Sequence, residues 1–149
     1  MSLKDRLQSD LKESLRARDA DRSQVLRFLI AELHNREIAK QGAGTAPHLT
    51  DEESIQIIQK EAKKRREAIE LFRKGGRTDL ISKEEKDLLI IDAYLPKPLS
   101  DAEIRTIVES VVGKGASEFA AVMRDVMKLA AGRAQGQRVG EIVKELLGK

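Results

Sequence analysis

The chain has 149 residues, of which 28 are basic and 25 acidic, and its net charge of only +3 argues against a dedicated binder of duplex nucleic acid. It contains no cysteine, which excludes thiol catalysis, cysteine-based zinc sites and a disulfide framework. The charged N-terminus predicts no signal peptide, and no apolar run is long enough for a membrane span, so we expect a cytoplasmic protein without membrane contact. With 3 Phe, 1 Tyr and no Trp, aliphatic side chains must build the core, and a charged fraction of 36% favours helices.

The first two helices are predicted from apolar side chains that recur at helical spacing. A narrow stripe in the first helix consists of Leu3, Leu7, Leu11 and Leu15. A polar break follows, in which Asp21 or Ser23 is expected to cap the second helix. That helix spans about residues 22–40, and its wide apolar face indicates a central position. The face consists of Val25, Leu26, Leu29, Ile30, Leu33 and Ile38.

The third helix begins at a capping box, in which Thr50 and Glu53 each satisfy a free backbone N–H of the other. Its apolar stripe consists of Ile55, Ile58, Ala62, Ile69 and Phe72. Arg65 occupies the one remaining position of that stripe. Gly75 is predicted to take the left-handed conformation that ends the helix.

A change of character after the fourth helix, which spans about residues 79–94, predicts a domain boundary. Pro96 and Pro98 cannot continue a helix, and they hold the chain extended. We therefore predict an N-terminal domain over residues 1–95 and a C-terminal domain over residues 96–149.

The C-terminal part is predicted to contain three short helices. A second capping box, at Ser100 and Glu103, opens the first of them. No segment of the chain alternates with the period of two that a half-buried strand requires. The predicted fold is therefore all-α, with a four-helix domain followed by a small three-helix domain.

No constellation of side chains with catalytic or cofactor-binding chemistry is found in the sequence. The two histidines, His34 and His48, stand alone, whereas nucleophilic catalysis needs a nucleophile, a base and an orienting group together. His34 and Glu37 share a helical face, but a metal needs three or four ligands. Glycine-rich nucleotide-binding loops are absent. We therefore predict no catalytic site, no cofactor and no metal.

The basic run of the third helix, residues 60–74, is interrupted by acids, so a solvated face is favoured over a nucleic-acid interface. Arg65 is the exception, because an unpaired guanidinium on an apolar stripe is costly. It is expected to pair with Asp87 or Asp92, or else to line a groove in which a ligand or a partner binds. The candidate residues of that groove are Lys64, Arg65, Gly75, Gly76 and Arg77.

Four basic residues surround a predicted turn, residues 132–136, in the C-terminal part: Arg124, Lys128, Arg133 and Arg138. A turn that exposes Arg133 beside free backbone N–H groups at a helix start suits phosphate, so these four are the predicted RNA-binding residues. Ordinary surface arginines around a turn explain them equally well. Aromatic platforms for unpaired bases are absent, so contacts with RNA are expected to involve mostly backbone and shape.

Three long segments resemble the GatB/YqeY family, and together they cover nearly the whole chain. They are VLRFLIAELHNREIAK, the run from Leu49 to Ile104, and VMKLAAGRAQGQRVGEIVKELL. The block KKRREAIELFRKGGRTDL and the element YLPKPLS make the resemblance specific, and the chain is similar to a free-standing YqeY-like protein. The tail departs from the family pattern at Gln135-Gly136, and also where Ala121 and Arg124 stand in place of glycines.

The resemblance implies an N-terminal helical domain and a domain similar to the tail of the B subunit of the aspartyl/glutamyl-tRNA amidotransferase, which is associated with tRNA recognition. The catalytic cradle of that enzyme has no counterpart in this sequence. The resemblance thus implies a non-catalytic protein that binds tRNA or serves tRNA metabolism. The alternative is an adaptor that docks on amidotransferase-like subunits, or on another protein, through the N-terminal groove. The third hypothesis is a carbon–nitrogen ligase with glutamine as amide donor, active only in complex with partner subunits.

Overall fold

The computed structural model describes residues 2–44 and 48–148, and every regular element in them is an α-helix. The helices are α1 (Leu3–Arg16), α2 (Ala20–Gly42), α3 (Asp51–Lys74), α4 (Thr78–Asp92), α5 (Asp101–Gly113), α6 (Phe119–Ala130) and α7 (Gly136–Leu147). Since no strand occurs in the described residues, the predicted all-α class is confirmed. Of the helices described, none combines the length and the apolarity that crossing a membrane requires.

The helices form two compact units, each with an apolar core. The first unit, Met1–Leu95, contains α1 to α4, and the second, Pro96–Lys149, contains α5 to α7. The first core includes the fully buried Leu7, Leu26, Leu29, Leu33, Ile58 and Ile91. The second is built mainly from β-branched residues, namely Ile104, Val108, Val122, Val126, Val139, Ile142 and Val143. Full burial of one such side chain contributes about 1.5–3 kcal/mol. That each unit folds as an independent domain stays a prediction.

Three helices begin at capping boxes, including both that the sequence predicts. The hydroxyls of Thr50 and Ser100 accept from the backbone N–H three residues on. In return, the side chains of Glu53 and Glu103 accept from the backbone N–H of Thr50 and Ser100. α1 begins in the same way at Ser2 and Asp5, a pattern that the sequence contains but the prediction missed. These caps fix where the helices start, because they satisfy backbone donors that would otherwise lack a partner.

The cap of α2 differs from the prediction of Asp21 or Ser23. Asp19 is the capping residue, and its carboxylate accepts from the backbone N–H of Arg22. Ser23 is buried instead, and its hydroxyl lies 2.8 Å from that of Ser14 on α1. The helix therefore starts earlier than its apolar pattern indicates, because polar residues fill its first turn.

Two further local predictions are wrong, each for a geometric reason. Gly75 keeps a right-handed conformation (φ −86°), and Gly76 takes the left-handed one (φ +70°) one residue later. Ile38, predicted on the buried face of α2, is 54% exposed. It follows the buried Leu29 by nine residues, which places it about 180° around the helix at 3.6 residues per turn.

Candidate functional site

The exposed side of α6 carries two cations one helical turn apart, Arg124 and Lys128. The opposite side of the helix, with Val122, Val126 and Ala130, is buried in the core of the second unit. The side chain of Arg124 is 76% exposed, and its Nε lies 4.0 Å from a carboxylate oxygen of the neighbouring Asp125. Lys128 is exposed, and no described carboxylate forms an ion pair with it. Neither cation is tied to another helix, so both are accessible to an anion in solvent.

Arg133 has a different role, because it holds residues 97–99 at the start of the second unit. Its Nε donates to the carbonyl of Lys97 at 2.8 Å, and the backbone N–H of Leu99 donates to the carbonyl of Arg133 at 2.7 Å. Left-handed conformations at Ala131 (φ +49°) and Gly132 (φ +79°) bring the chain round to this position after α6. The side chain is half-buried rather than fully presented by the turn.

Arg138 is bound by carboxylates on both sides. Its Nε donates to Asp101 at 2.9 Å, a second guanidinium nitrogen donates to the other oxygen of that carboxylate, and a third donates to Glu141. The hydrogen bonds to Asp101 and Glu141 raise the pKa of Arg138, and the hydrogen bond from Arg138 lowers the pKa of Asp101. Of the four predicted RNA-binding residues, the structure thus leaves Arg124 and Lys128 without interhelical partners and gives Arg133 and Arg138 internal ones. RNA binding by any of them stays a prediction.

An apolar strip runs along α6 beside the two cations and consists of Phe119, Met123 and Met127. All three are only partly buried. The strip faces Gly136 and Gly140 of α7, where an added Cβ would lie 3.9 Å from a side-chain carbon of the strip. The Nζ of Lys144 on α7 lies 5.8 Å from the centroid of the Phe119 ring.

Arg65 in the first unit lies at the centre of an ion-pair cluster. Its Nε donates to Glu61 at 3.0 Å, and one terminal nitrogen donates to both Glu84 and Asp87 at 3.1 Å. The predicted pair with Asp87 is present, whereas the other candidate, Asp92, pairs with Arg66 at 3.0 Å. The cluster thereby links α3 to α4.

The carboxylates of this cluster outnumber its cations. Glu61, Glu84 and Asp87 surround Arg65, and Lys83 approaches only Asp87, at 3.5 Å. Burial alone would lower the pKa of Arg65, but the hydrogen bonds to Glu61 and Glu84 outweigh it, and that pKa lies above its ordinary value. The cleft beside the cluster, about 240 Å³ in volume, is lined by Arg65, which three carboxylates engage, and by Lys83, which pairs with Asp87.

The other predicted groove residues do not gather around Arg65. Lys64 lies on the exposed side of α3. Gly75 and Gly76 follow the end of α3, about 15 Å along the helix from Arg65 at 1.5 Å per residue. Arg77, also exposed, lies 3.5 Å from Asp79. The groove formed by these five residues stays a prediction without a shared surface to support it.

A second polar cluster, which no pattern in the sequence indicates, surrounds Tyr94 at the end of α4. Tyr94 is 6% exposed, and its hydroxyl donates to Asp10 on α1. Arg6 lies 4.8 Å above the ring, and Arg22 lies 3.8 Å from the same Asp10 carboxylate. Burial, together with the hydrogen bond to Asp10, raises the pKa of Tyr94 to about 12. These contacts tie α4 to α1 and α2.

Metal chemistry finds no support in the part of the chain that the structure describes. His34 and His48 are exposed there, and no group of three or more acidic or histidine side chains has a ligating arrangement.

The family model described as Yqey-like protein matches residues 4–147 of the chain. The chain belongs to this family. The relatives of this YqeY-like protein include three fungal proteins named "Altered inheritance of mitochondria protein 41, mitochondrial". The one from Pyrenophora tritici-repentis is 31% identical over 96% of this chain and 80% of its own length. The one from Lachancea thermotolerans is 34% identical over 71% of the chain and 56% of its own length. The one from Saccharomyces cerevisiae is 26% identical over 96% of the chain and 67% of its own length.

These names correct one prediction and leave another open. The cytoplasmic location expected from the sequence is contradicted, because the relatives are named as mitochondrial proteins. The family resemblance is confirmed for YqeY-like proteins. The further kinship with the amidotransferase B subunit stays a hypothesis.

Proposed function

We propose that this YqeY-like protein is a non-catalytic accessory protein that binds RNA, with tRNA as the first ligand to test, through the exposed side of α6. The observation that supports the proposal is the pair Arg124 and Lys128, two accessible cations one turn apart with no interhelical ion pair among the described residues. Cations that are exposed and lack an interhelical partner can neutralise phosphates and so release the counterions bound to RNA. This counterion release supplies a large part of the affinity of proteins for nucleic acid.

The adaptor hypothesis has less support from the geometry. Docking through the N-terminal groove would have to use Arg65, whose side chain is 19% exposed and engaged by three carboxylates. A partner would need to displace interactions that hold α3 and α4 together. The α6 surface requires no such rearrangement.

The proposal is tested by measuring the binding of tRNA over a range of salt concentrations. The double variant Arg124→Ala/Lys128→Ala should bind more weakly, and the slope of log affinity against log salt should fall by about 1 for each phosphate that is no longer neutralised. The double variant Lys60→Ala/Lys63→Ala is a matched control, because it removes the same charge from the exposed side of α3. The mitochondrial names of the relatives favour testing mitochondrial tRNA beside total tRNA.

Equal weakening of binding in both double variants would reduce the effect to net charge and contradict the proposed site. The absence of salt-sensitive RNA binding in the unaltered chain would contradict the proposed function. A glutamine-dependent amidation catalysed by the purified chain would contradict the non-catalytic part of the proposal.

A further inference from the structure

Two chemically different strips run side by side along α6. The cationic strip consists of Arg124 and Lys128, and the apolar strip of Phe119, Met123 and Met127. Each cation directly follows a methionine of the apolar strip, so the two strips lie about 100° apart around the helix axis. One methionine and one cation recur in each successive turn of the helix. A ligand that follows the cations therefore passes beside the methionines.

The apolar strip packs beside two glycines of α7 and stays partly exposed. Gly136 and Gly140 give α7 no side chain opposite it, and the terminal methyls of Met127 and Met123 lie 3.9 Å from where a Cβ would be. The tips of Met123 and Met127 therefore lie close to α7, and Phe119, Met123 and Met127 pack on the core of the second unit while each stays partly exposed. Lys144 of α7 approaches the strip at Phe119 and contributes a further positive charge.

We infer that this surface binds a single-stranded segment of RNA, with phosphates on Arg124 and Lys128 and unpaired bases against Met123 and Met127. The inference rests on the proposed function and names its ligand more narrowly. A duplex presents phosphates and sugars while its bases stay stacked inside, so it would use the cations and leave the apolar strip in water. A single strand carries phosphates along one side and base faces along the other, which matches the two strips.

The chemistry of methionine determines what such a site can read. Its thioether is flexible and polarizable and makes favourable contacts with aromatic rings. It presents no directional hydrogen bonds, so the site should accept different bases with little sequence preference. This extends the expectation that contacts involve mostly backbone and shape, because the apolar strip supplies base contacts without an aromatic platform.

The first arm of the test compares one short RNA sequence as a single strand and as a duplex with its complement, against the full chain at fixed salt. The single strand should bind about tenfold more tightly, which corresponds to about two favourable contacts between a thioether and a base ring. Equal or tighter binding of the duplex overturns the inference. The proposed function would still be supported in that case if the affinity for the duplex falls with salt and this salt dependence decreases in Arg124→Ala/Lys128→Ala.

The second arm uses variants of the apolar strip. Met123→Ser/Met127→Ser should weaken single-strand binding while leaving the salt slope unchanged, since both phosphate-binding cations are kept. Met123→Leu/Met127→Leu keeps the apolar volume and should retain most of the binding, and circular dichroism checks that both variants fold. Unchanged affinity in the folded serine variant overturns the inference. If the serine variant does not fold, an unaltered preference for the single strand in the leucine variant still supports the inference, and the absence of that preference contradicts it.

A third arm distinguishes RNA from an acidic protein. Polyglutamate at matched charge should compete poorly with the single strand, because it has carboxylates but no base faces. Competition as effective as that of unlabelled RNA overturns the inference and favours an acidic protein partner. Failure of every RNA to bind overturns the proposed function as well.

Discussion

Arg65 and Arg124 both lie in basic segments of the chain, and their environments are opposite. Arg65 in the first unit is surrounded by three carboxylates and is 19% exposed. Arg124 in the second unit is 76% exposed, and the one carboxylate near it lies 4.0 Å away. The first holds helices together, and the second is accessible to ligands. The number of cations in a segment therefore says little about binding, and the carboxylates that the fold brings to them decide their role.

The largest expected effect is that of removing Arg65, which directly tests the contrast between the structural Arg65 and the accessible Arg124. Arg65→Ala leaves Glu61, 8% exposed, without its cation and leaves Asp87, 4% exposed, with Lys83 at 3.5 Å as its remaining ion-pair partner, so it should destabilise the first unit by about 3 kcal/mol or more. Denaturant unfolding followed by the fluorescence of Tyr94, the sole tyrosine in a chain without tryptophan, measures the effect. Arg124→Ala is the control, expected to stay within about 0.5 kcal/mol of the unaltered chain. Equal stabilities of the two variants would refute the contrast.

The next effect concerns the Tyr94 cluster, a second place where the first unit uses charge for structure. Tyr94→Phe removes the hydrogen bond to Asp10 and should cost about 1.5–3 kcal/mol, as is usual for bonds to a charged group. The fall in thermal stability, measured by circular dichroism, should be larger than that of Leu15→Ala, whose side chain is 46% exposed. A variant as stable as the unaltered chain would show that the cluster contributes nothing.

The same tyrosine predicts a pH dependence with a definite sign. Its pKa rises from 10 to about 12 in the folded protein, so its contribution is fully present below pH 10 and is lost as the pH rises through about 12. Each pKa unit corresponds to about 1.4 kcal/mol, so the loss over two units is roughly 3 kcal/mol at most. Denaturant unfolding at a series of alkaline pH values should show this loss in the unaltered chain and a shallower one in Tyr94→Phe. Parallel curves would exclude Tyr94 as the titrating group.

A smaller effect is expected in the turn of the second unit that positions Arg133. Ala131 has a left-handed backbone (φ +49°), which costs a residue with a Cβ about 1–2 kcal/mol. Ala131→Gly removes that strain at the cost of greater freedom in the unfolded chain, so we expect a gain of about 0.5 kcal/mol or more. Gly132→Ala, at the neighbouring left-handed position, should lower the melting temperature in calorimetry. A loss of stability in Ala131→Gly would contradict the strain argument.

The smallest effect is the acid sensitivity of the exposed pair between Arg138 and Asp101. The hydrogen bond from Arg138 lowers the pKa of Asp101, so its stabilisation is present above the ordinary pKa of 3.8 and is lost as the pH falls through the lowered value. Melting temperatures of the unaltered chain and Asp101→Asn should therefore differ near neutral pH and converge in acid. A difference that persists in acid would point to a cause other than this carboxylate.

Part of the candidate site could be predicted from the sequence, and part could not. The pattern placed Arg124 and Lys128 on a helix and gave Asp87 as one of two candidate partners of Arg65, because these inferences depend on helical spacing and on the cost of a buried guanidinium. It could not separate Arg133 and Arg138 from the accessible cations. Their partners, the Lys97 carbonyl and Asp101, lie more than thirty residues away in the chain and are met only after folding.

The sequence by itself determined the all-α class, the positions of two capping boxes and a break at the prolines, because these follow from interactions within a few residues. The tertiary structure decided which charges are neutralised, that Tyr94 is buried against Asp10, and that Phe119, Met123 and Met127 stay partly exposed. The last two depend on what a neighbouring helix presents at the point of contact, such as the glycines of α7. Local periodicity specifies which side of a helix is apolar, but the shape and charge of the opposing helix decide how much of that side is covered.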